Sequence, residues 1–245
     1  MRSLPDQRLI ESALGAITLF RDLGAHREAA LAKQCCVMSA RRGEVVARRG
    51  ARLAGMFIVA YGILKLSLRS AEGDERVLRL ISSGQAFGEA TALLAERSRY
   101  EVHALADSKL VIVPTATLWK VLESDPRFAR RMMLALSERT LEMIDEVEAA
   151  TLQRGAQRLA RYLQSLVRSA SAPGSVRLPV SKTLVAARLG VKKETLSRLL
   201  HQLAAEGVIE VERRDVKILD AGRLSSVAGD AAEAAPHPRE SVAAS

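Results

Sequence analysis

Apolar and polar positions follow different rhythms along this chain, and each rhythm predicts a different kind of element. In the first forty residues Leu9-Ile10, Leu14, Ile17 and Leu23 recur at helical spacing, and Arg27 to Gln34 predicts a second short helix. The texture changes near Arg42. From there to about Val113, short runs of Val, Ile and Leu are separated by glycines at 43, 50, 55, 62, 73, 84 and 88. The runs are Val45-Val46, Met56 to Val59, Ile63 to Leu68, Val77 to Ile81, Tyr100 to Leu105 and Leu110 to Val113. Strands so short and so regularly punctuated predict an antiparallel barrel or sandwich, not βαβ units.

Pro114 closes this region, and Thr117 to Leu122 reads as a short helix. Asp125-Pro126 then reads as a helix start, with proline at the first helical position, where its missing N–H has no consequence. Neither Gly nor Pro follows until Gly155. Met133, Leu136, Thr140, Met143, Val147 and Ala150 fall at alternating spacings of three and four, an a/d seam flanked by Glu and Arg. At 1.5 Å per residue the helix is a rod on the order of 40 Å long. The stripe is too narrow for a broad core-facing surface, so it predicts pairing with a second copy rather than packing on its own barrel.

Beyond Gly155 the pattern predicts a helix over Gln157 to Arg168, a linker over Ser169 to Gly174, and two short helices around Gly190. A strand pair, Val208 to Val211 and Val216 to Leu219, comes next. The tail from Gly229 onward, rich in Ala with Pro236 and Pro238, carries no periodicity and is expected to be disordered. The expected organisation is therefore α+β: a β-rich segment over 1–124, a dimerisation helix over 125–153, a helix-turn-helix domain over 154–228 and a tail over 229–245.

Charge sharpens this picture. The formal net charge is +9, and 13 Lys and Arg against 5 Asp and Glu fall between Arg154 and Lys217. The remainder holds 24 basic and 23 acidic residues, so nearly all of the surplus sits in one C-terminal segment, which favours a polyanionic partner there. The two cysteines, Cys35 and Cys36, are adjacent and cannot staple a fold, which indicates a reducing compartment. The start shows no basic stretch followed by an apolar one, and no apolar run reaches membrane-spanning length. A soluble, cytoplasmic protein without a membrane partner is expected.

The basic segment contains Pro179-Val180-Ser181-Lys182-Thr183, followed by two helical patterns joined at Gly190. Ser181 is an N-cap for a helix with Leu184, Val185 and Leu189 buried; Gly190 allows the tight turn and Val191 packs beneath it. A second helix from about Lys192 to Ala205 places Leu196, Leu199, Leu200 and Leu203 on one face, and Lys193, Glu194, Ser197 and Arg198 on the other. That polar face suits a major groove: Arg donates twice to guanine, Glu accepts from cytosine, and Ser is short enough for close approach. Lys182, Thr183 and Lys192 stand where helix N-termini meet phosphates, and Thr195 and His201 complete the candidate DNA contacts. The strand pair, with Arg213-Arg214-Asp215 at its tip, reads as a wing.

Here the sequence resembles a known family. Val191-Lys192-Lys193-Glu194-Thr195-Leu196-Ser197-Arg198-Leu199-Leu200, followed by Gly207-Val208-Ile209, looks like the recognition helix and wing of the cyclic-AMP receptor protein/FNR family. Upstream, Gly62-Ile63-Leu64-Lys65-Leu66, Ser83-Gly84-Gln85-Ala86-Phe87-Gly88-Glu89-Ala90 and the long helix after Pro126 resemble its β-roll and dimerisation helix. The resemblance spans roughly residues 15 to 225. It implies a cyclic-nucleotide-binding-like jelly roll, a dimer helix and a winged helix, and as partners double-stranded DNA, a second copy and RNA polymerase. The Glu194, Ser197, Arg198 spacing resembles the FNR branch, in which those side chains read TTGAT half-sites; the implied site is TTGAT-N4-ATCAA. Lys192 departs from the family's usual Ser N-cap.

The same resemblance points to an effector pocket at Gly88, Glu89, Arg99, Tyr100 and Met143. In cyclic-AMP-binding members the Phe-Gly-Glu turn holds the ribose and an Arg ten residues on holds the phosphate; Glu89 and Arg99 keep that spacing. The next position is Ser in those members and Tyr100 here, and the adenine-contacting Thr-Ser pair corresponds to Met143-Ile144. These departures argue against cyclic AMP. An iron–sulfur cluster needs four thiolates, and two adjacent cysteines do not supply them. Haem, used by a nitric-oxide-responsive branch, stays open, with His26 and His103 as the sensor histidines; so do a thiol sensor at Cys35-Cys36 and control by expression level alone. No metal cluster, paired catalytic carboxylates, phosphate-binding loop or nucleophile elbow marks an enzyme. A cyclic-nucleotide-binding regulatory protein without a DNA role is the alternative, and it leaves the basic helix unexplained.

Overall fold

Two four-stranded antiparallel sheets stack in the first half of the chain, in the computed structural model, which describes residues 4–20, 23–169 and 175–229. Of the predicted linker, Ser169 ends a helix and residues 170–174 lie outside the described residues, as does the predicted tail beyond Gly229. The strands are β1 (Cys36–Ala40), β2 (Val45–Ala47), β3 (Gly55–Tyr61), β4 (Ile63–Arg69), β5 (Glu75–Ser82), β6 (Ala86–Phe87), β7 (Glu101–Ala104) and β8 (Ser108–Pro114). Helices α1 (Leu4–Ala16) and α2 (Ala25–Ala32) precede them, and α3 (Glu89–Leu93) is inserted after β6. One sheet runs β1-β8-β3-β6 and the other β2-β7-β4-β5, which is the expected jelly roll.

The six predicted runs are strands, and three elements correct the reading. Cys36–Ala40, within the stretch read as helical, is an edge strand paired with Ser108 to Ile112. Ala86–Phe87 pairs briefly with β3, and the strand predicted from Tyr100 begins at Glu101. The short α3 carried no periodic signal, because one turn buries only Ala92.

Burial explains why β3 is a continuous apolar run while β4 alternates. The β3 sheet is covered on both faces. Phe57 and Val59 face the second sheet with Leu64, Leu66, Ile81, Phe87 and Val102, and the Phe57 and Phe87 rings stack at 4.9 Å. Met56 and Ile58 face the helices instead, in a second cluster with Ile10, Leu14, Phe20, Leu118 and Phe128. The second sheet has one face outward, so Lys65 alternates with buried Leu64 and Leu66. Two glycines are sterically required. A Cβ at Gly55 would lie 1.9 Å from the Val113 carbonyl oxygen, and one at Gly62, whose φ is +101°, 2.1 Å from Ser108 Oγ.

Helix α4 (Thr115–Ser124) leads into α5 (Pro126–Leu152), 27 residues long and starting at the predicted proline. Phe128, Met132 and Leu136, one helical turn apart, pack against the roll's helical-side core. Leu136 therefore faces its own unit, which corrects its assignment to the free stripe. Met133, Thr140, Met143, Val147 and Ala150 are exposed, as are Leu134, Leu141 and Ile144.

The chain divides into two compact units between Asp145 and Glu146, inside α5. In the second unit α6 (Gly155–Ser169), α7 (Lys182–Leu189), α8 (Lys193–Ala205) and α9 (Ala221–Ala228) surround a three-stranded sheet ordered β10-β11-β9. Its strands are β9 (Ser175–Arg177), β10 (Ile209–Glu212) and β11 (Asp215–Ile218). The wing pair was expected; β9 and α9 were not. β9 buries one side chain, Val176, too little for a sequence signal.

Candidate nucleic-acid interface

Local chemistry builds the helix-turn-helix as the sequence predicts. The Ser181 side chain accepts from the Leu184 N–H at 3.4 Å, capping α7. Gly190 ends that helix in the left-handed region at φ +63°, and the Val191 N–H returns to the Ala186 carbonyl at 3.0 Å. Val185 and Leu189 are buried as expected; Leu184 is only half-buried, and Ala186 fills the buried position instead, closer to the turn.

Helix α8 begins at Lys193, with Lys192 as its N-cap in extended conformation and no side-chain hydrogen bond to the first turn. The amides of that turn are therefore uncapped. Leu196, Leu200 and Leu203 are buried, and Leu199 is half-buried beside Gly155. On the other side Lys193, Glu194, Arg198 and His201 are exposed, and Thr195 and Ser197 are half-buried between the two faces. On α7, Thr183 is exposed and Lys182 half-buried. The structure thus gathers the candidate DNA contacts on α8 along one free surface, with a hydrophobic floor to hold it.

The wing is a tight hairpin. Glu212 pairs with Asp215, leaving Arg213 and Arg214 as the two-residue loop, with Arg213 at φ +52°. The Arg214 carbonyl accepts from the Leu178 N–H at 2.8 Å, tying the tip to the strand added by β9.

Three arginines in the basic surplus have a different occupation. Arg158 Nε donates to the Leu189 carbonyl at 2.8 Å and its Nη1 to the Gln153 carbonyl at 2.5 Å, tying α6 to the end of α7. Arg161 donates to the Ala228 carbonyl at 3.2 Å, and Arg188 pairs with Glu146 at 3.0 Å. Charge counting does not separate them from the other cations of the basic segment; only tertiary contacts identify them as braces.

In the sensor unit Gly88, Glu89 and Tyr100 lie together, while Arg99 and Met143 stand apart in solvent. Gly88 sits in the left-handed region at φ +89°, capping α3, and Glu89 Oε2 is buried without a hydrogen-bond partner. Tyr100 lies between the roll and α3; burial pushes its phenol up, against a hydrogen bond with Thr91 and with Glu89 nearby adding to the rise. The Arg99 side chain is 83% exposed and pairs with Glu96 at 2.8 Å, on the outside of the same loop. Met143 is 54% exposed on α5.

His26 is exposed on α2. His103 is half-buried on β7, and burial, reinforced by the Lys65 charge, holds its imidazole below the ordinary value. Cys35 is buried and donates to the Leu31 carbonyl, while Cys36 is exposed. Among the described residues no group of three or more His, Cys, Asp or Glu could hold a metal ion, and no helix is long and apolar enough to cross a membrane.

Comparison with known proteins agrees with both halves. Residues 37–125 match the cyclic nucleotide-binding domain family and residues 157–227 the Crp-like helix-turn-helix domain family. The cyclic AMP receptor protein of Thermus thermophilus is 28% identical over 188 residues, 76% of this chain and 85% of that protein. The transcriptional activator protein FnrA of Stutzerimonas stutzeri is 25% identical over 198 residues, 79% of this chain and 81% of that one. The solved structure of FixK2 from Bradyrhizobium japonicum superposes with a TM-score of 0.71, at 21% identity, over 79% of this chain and 96% of that one. A cyclic-nucleotide-binding-like roll and a helix-turn-helix on one chain define a DNA-binding transcription regulator. This chain belongs to the Crp/Fnr family of such regulators.

Proposed function

We propose that this regulator acts as a homodimer on a near-palindromic site resembling TTGAT-N4-ATCAA. The observation that carries the reading is the α8 surface, where Glu194 and Arg198 project beside Ser197 over a buried Leu196-Leu200-Leu203 floor. Arg198 donates to the guanine and Glu194 accepts from a cytosine of the opposite strand. The uncapped α8 N-terminus, with Lys192 and Lys193, and the α7 start, with Lys182 and Thr183, take phosphates. Thr195 and His201 border the same groove. The domain bounds that go with this reading are 1–124 for the sensor roll, 125–153 for the dimer helix, 154–228 for the DNA-binding domain and 229–245 for the tail.

Dimerisation is supported by the exposed side of α5, where Met133, Met143 and Val147 are each more than half exposed in the single chain. A second copy covering them buries apolar surface worth roughly 25 cal/mol per Å². Two recognition helices so held enter successive major grooves about 34 Å apart, hence the near-palindrome.

For the effector, the placement of Arg99 argues against cyclic AMP: its guanidinium is committed to Glu96 in solvent, and the apolar Met143 and Ile144 offer no hydrogen-bond partner to a purine. The protein is read as a cytoplasmic, non-enzymatic regulator that works with RNA polymerase. Selection of bound sites from random DNA tests the core of this reading. A dyad of TTGAT-like half-sites is expected; sites without a dyad would overturn it.

A further inference from the structure

The β-rich segment over 1–124 holds 18 Lys and Arg against 13 Asp and Glu, and its fold brings arginines together from two separated loops. Arg48, Arg49 and Arg52 follow β2, and Arg97 and Arg99 precede β7. Hydrogen bonds clip the two loops together: the Gly50 N–H donates to the Ser98 carbonyl at 2.7 Å and the Ser98 N–H to the Ala51 carbonyl at 2.8 Å. The arginines themselves complete the clip. Arg52 Nη1 donates to the Ala95 carbonyl and Arg97 Nη1 to the Gly50 carbonyl, both at 2.9 Å. Arg49 Nη1 reaches the Arg69 carbonyl at the end of β4 at 3.4 Å.

All five side chains are exposed. Arg99 pairs with Glu96, and among the described residues the other four meet no carboxylate within salt-bridge distance. Such a concentration of like charge is repulsive in the free protein, so an anionic occupant gains both its own ion pairs and relief of that repulsion. Arg52 and Arg97 are held by the opposite loop with one N–H each, which leaves further donors of each planar head free for an oxygen pair.

The surroundings identify the kind of anion. Leu94, 70% exposed, adjoins Ala95, whose carbonyl holds Arg52 and whose φ of +52° turns the loop sharply. Leu68 is also exposed, next to Arg69. Arginine is enriched at protein-binding surfaces, and exposed leucines beside it add an apolar contact that a purely charged occupant does not use. A phosphate backbone has no use for the leucines. We propose that this patch is a docking surface for an acidic protein segment carrying an apolar side chain, its carboxylates on Arg48, Arg49, Arg52 and Arg97 and its anchor on Leu94.

Fluorescence anisotropy with the full chain and three labelled probes tests this: a peptide of interspersed Glu and Leu, a poly-glutamate peptide of equal charge, and a duplex carrying the selected site. The Glu-Leu peptide is expected to bind more tightly than poly-glutamate, and more weakly as salt rises. The double variant R48Q/R49Q spares the two clipping arginines. It should weaken Glu-Leu binding about fivefold, two exposed ion pairs being removed, and leave duplex affinity unchanged. L94S should remove the preference for the Glu-Leu peptide over poly-glutamate. Peptide affinity indifferent to the double variant would overturn the proposal, and so would a loss confined to the duplex, which would make the patch a DNA contact.

Discussion

Arg27 and Asp125, 98 residues apart in sequence, form an ion pair at 2.8 Å that ties α2 to the start of α5. Asp125 is buried, and its other oxygen accepts from the Arg127 and Phe128 N–H groups at 2.9 and 3.1 Å. One carboxylate thus caps the long helix and fastens it to the N-terminal helices.

The Phe128 N–H above all, then Arg27 and the Arg127 N–H, hold the Asp125 carboxyl below its ordinary value, against the opposing effect of burial. A group with a depressed folded pKa stabilises above its unfolded value and loses that contribution as pH falls through the folded one. Thermal melts should therefore fall on acidification below the ordinary Asp range, and less steeply in Asp125→Asn. At neutral pH, Asp125→Ala should lower Tm by a few degrees. Equal acid slopes in the two proteins would remove this role.

On the proposed dimer, lysines at Met143 and Val147 place two like charges in the seam of each helix. The double variant Met143→Lys/Val147→Lys should sediment as a monomer at micromolar concentration while keeping its helical circular dichroism. Persistence of the dimer would show that the contact lies elsewhere on α5.

Reading and anchoring should separate by mutation. Arg198→Ala is expected to lose about 1–3 kcal/mol on the selected site and to relax preference at the G·C pair. Lys182→Ala should weaken all sequences evenly and reduce the salt slope by about one unit. An Arg198→Ala variant with unchanged base preference would contradict the assignment.

Lys192 leaves α8 without a side-chain cap. Lys192→Ser should stabilise the second unit by about 1 kcal/mol, read as a higher melting temperature. The same change should lower DNA affinity and reduce its salt dependence, because a phosphate contact is removed. A variant that gains stability with unchanged DNA affinity would show that Lys192 meets no phosphate.

Isothermal titration should show no cyclic AMP binding at physiological concentrations. A micromolar dissociation constant, lost in Arg99→Ala, would mean that Arg99 leaves Glu96 to meet the phosphate.

What the sequence determined on its own was whatever depends on local periodicity and backbone chemistry. The six glycine-bounded strands, the proline start of α5, the Ser181 cap and the Gly190 turn each depend on a few adjacent residues, and the structure has them all. The recognition face was legible for the same reason: on one helix, the spacing of Leu196, Leu200 and Leu203 implies the opposite side. Tertiary structure alone decided which contacts join distant segments. It made Cys36–Ala40 a strand by pairing it with β8, added β9 from a segment too short to show a period, and packed α9, which buries only Leu224 and Ala228. It turned Leu136 inward, gave Arg158, Arg161 and Arg188 to bracing, and gathered five arginines at two clipped loops. The physical reason is that a side chain's charge or hydrophobicity is a property of the residue, whereas its partner is set by how the chain closes on itself.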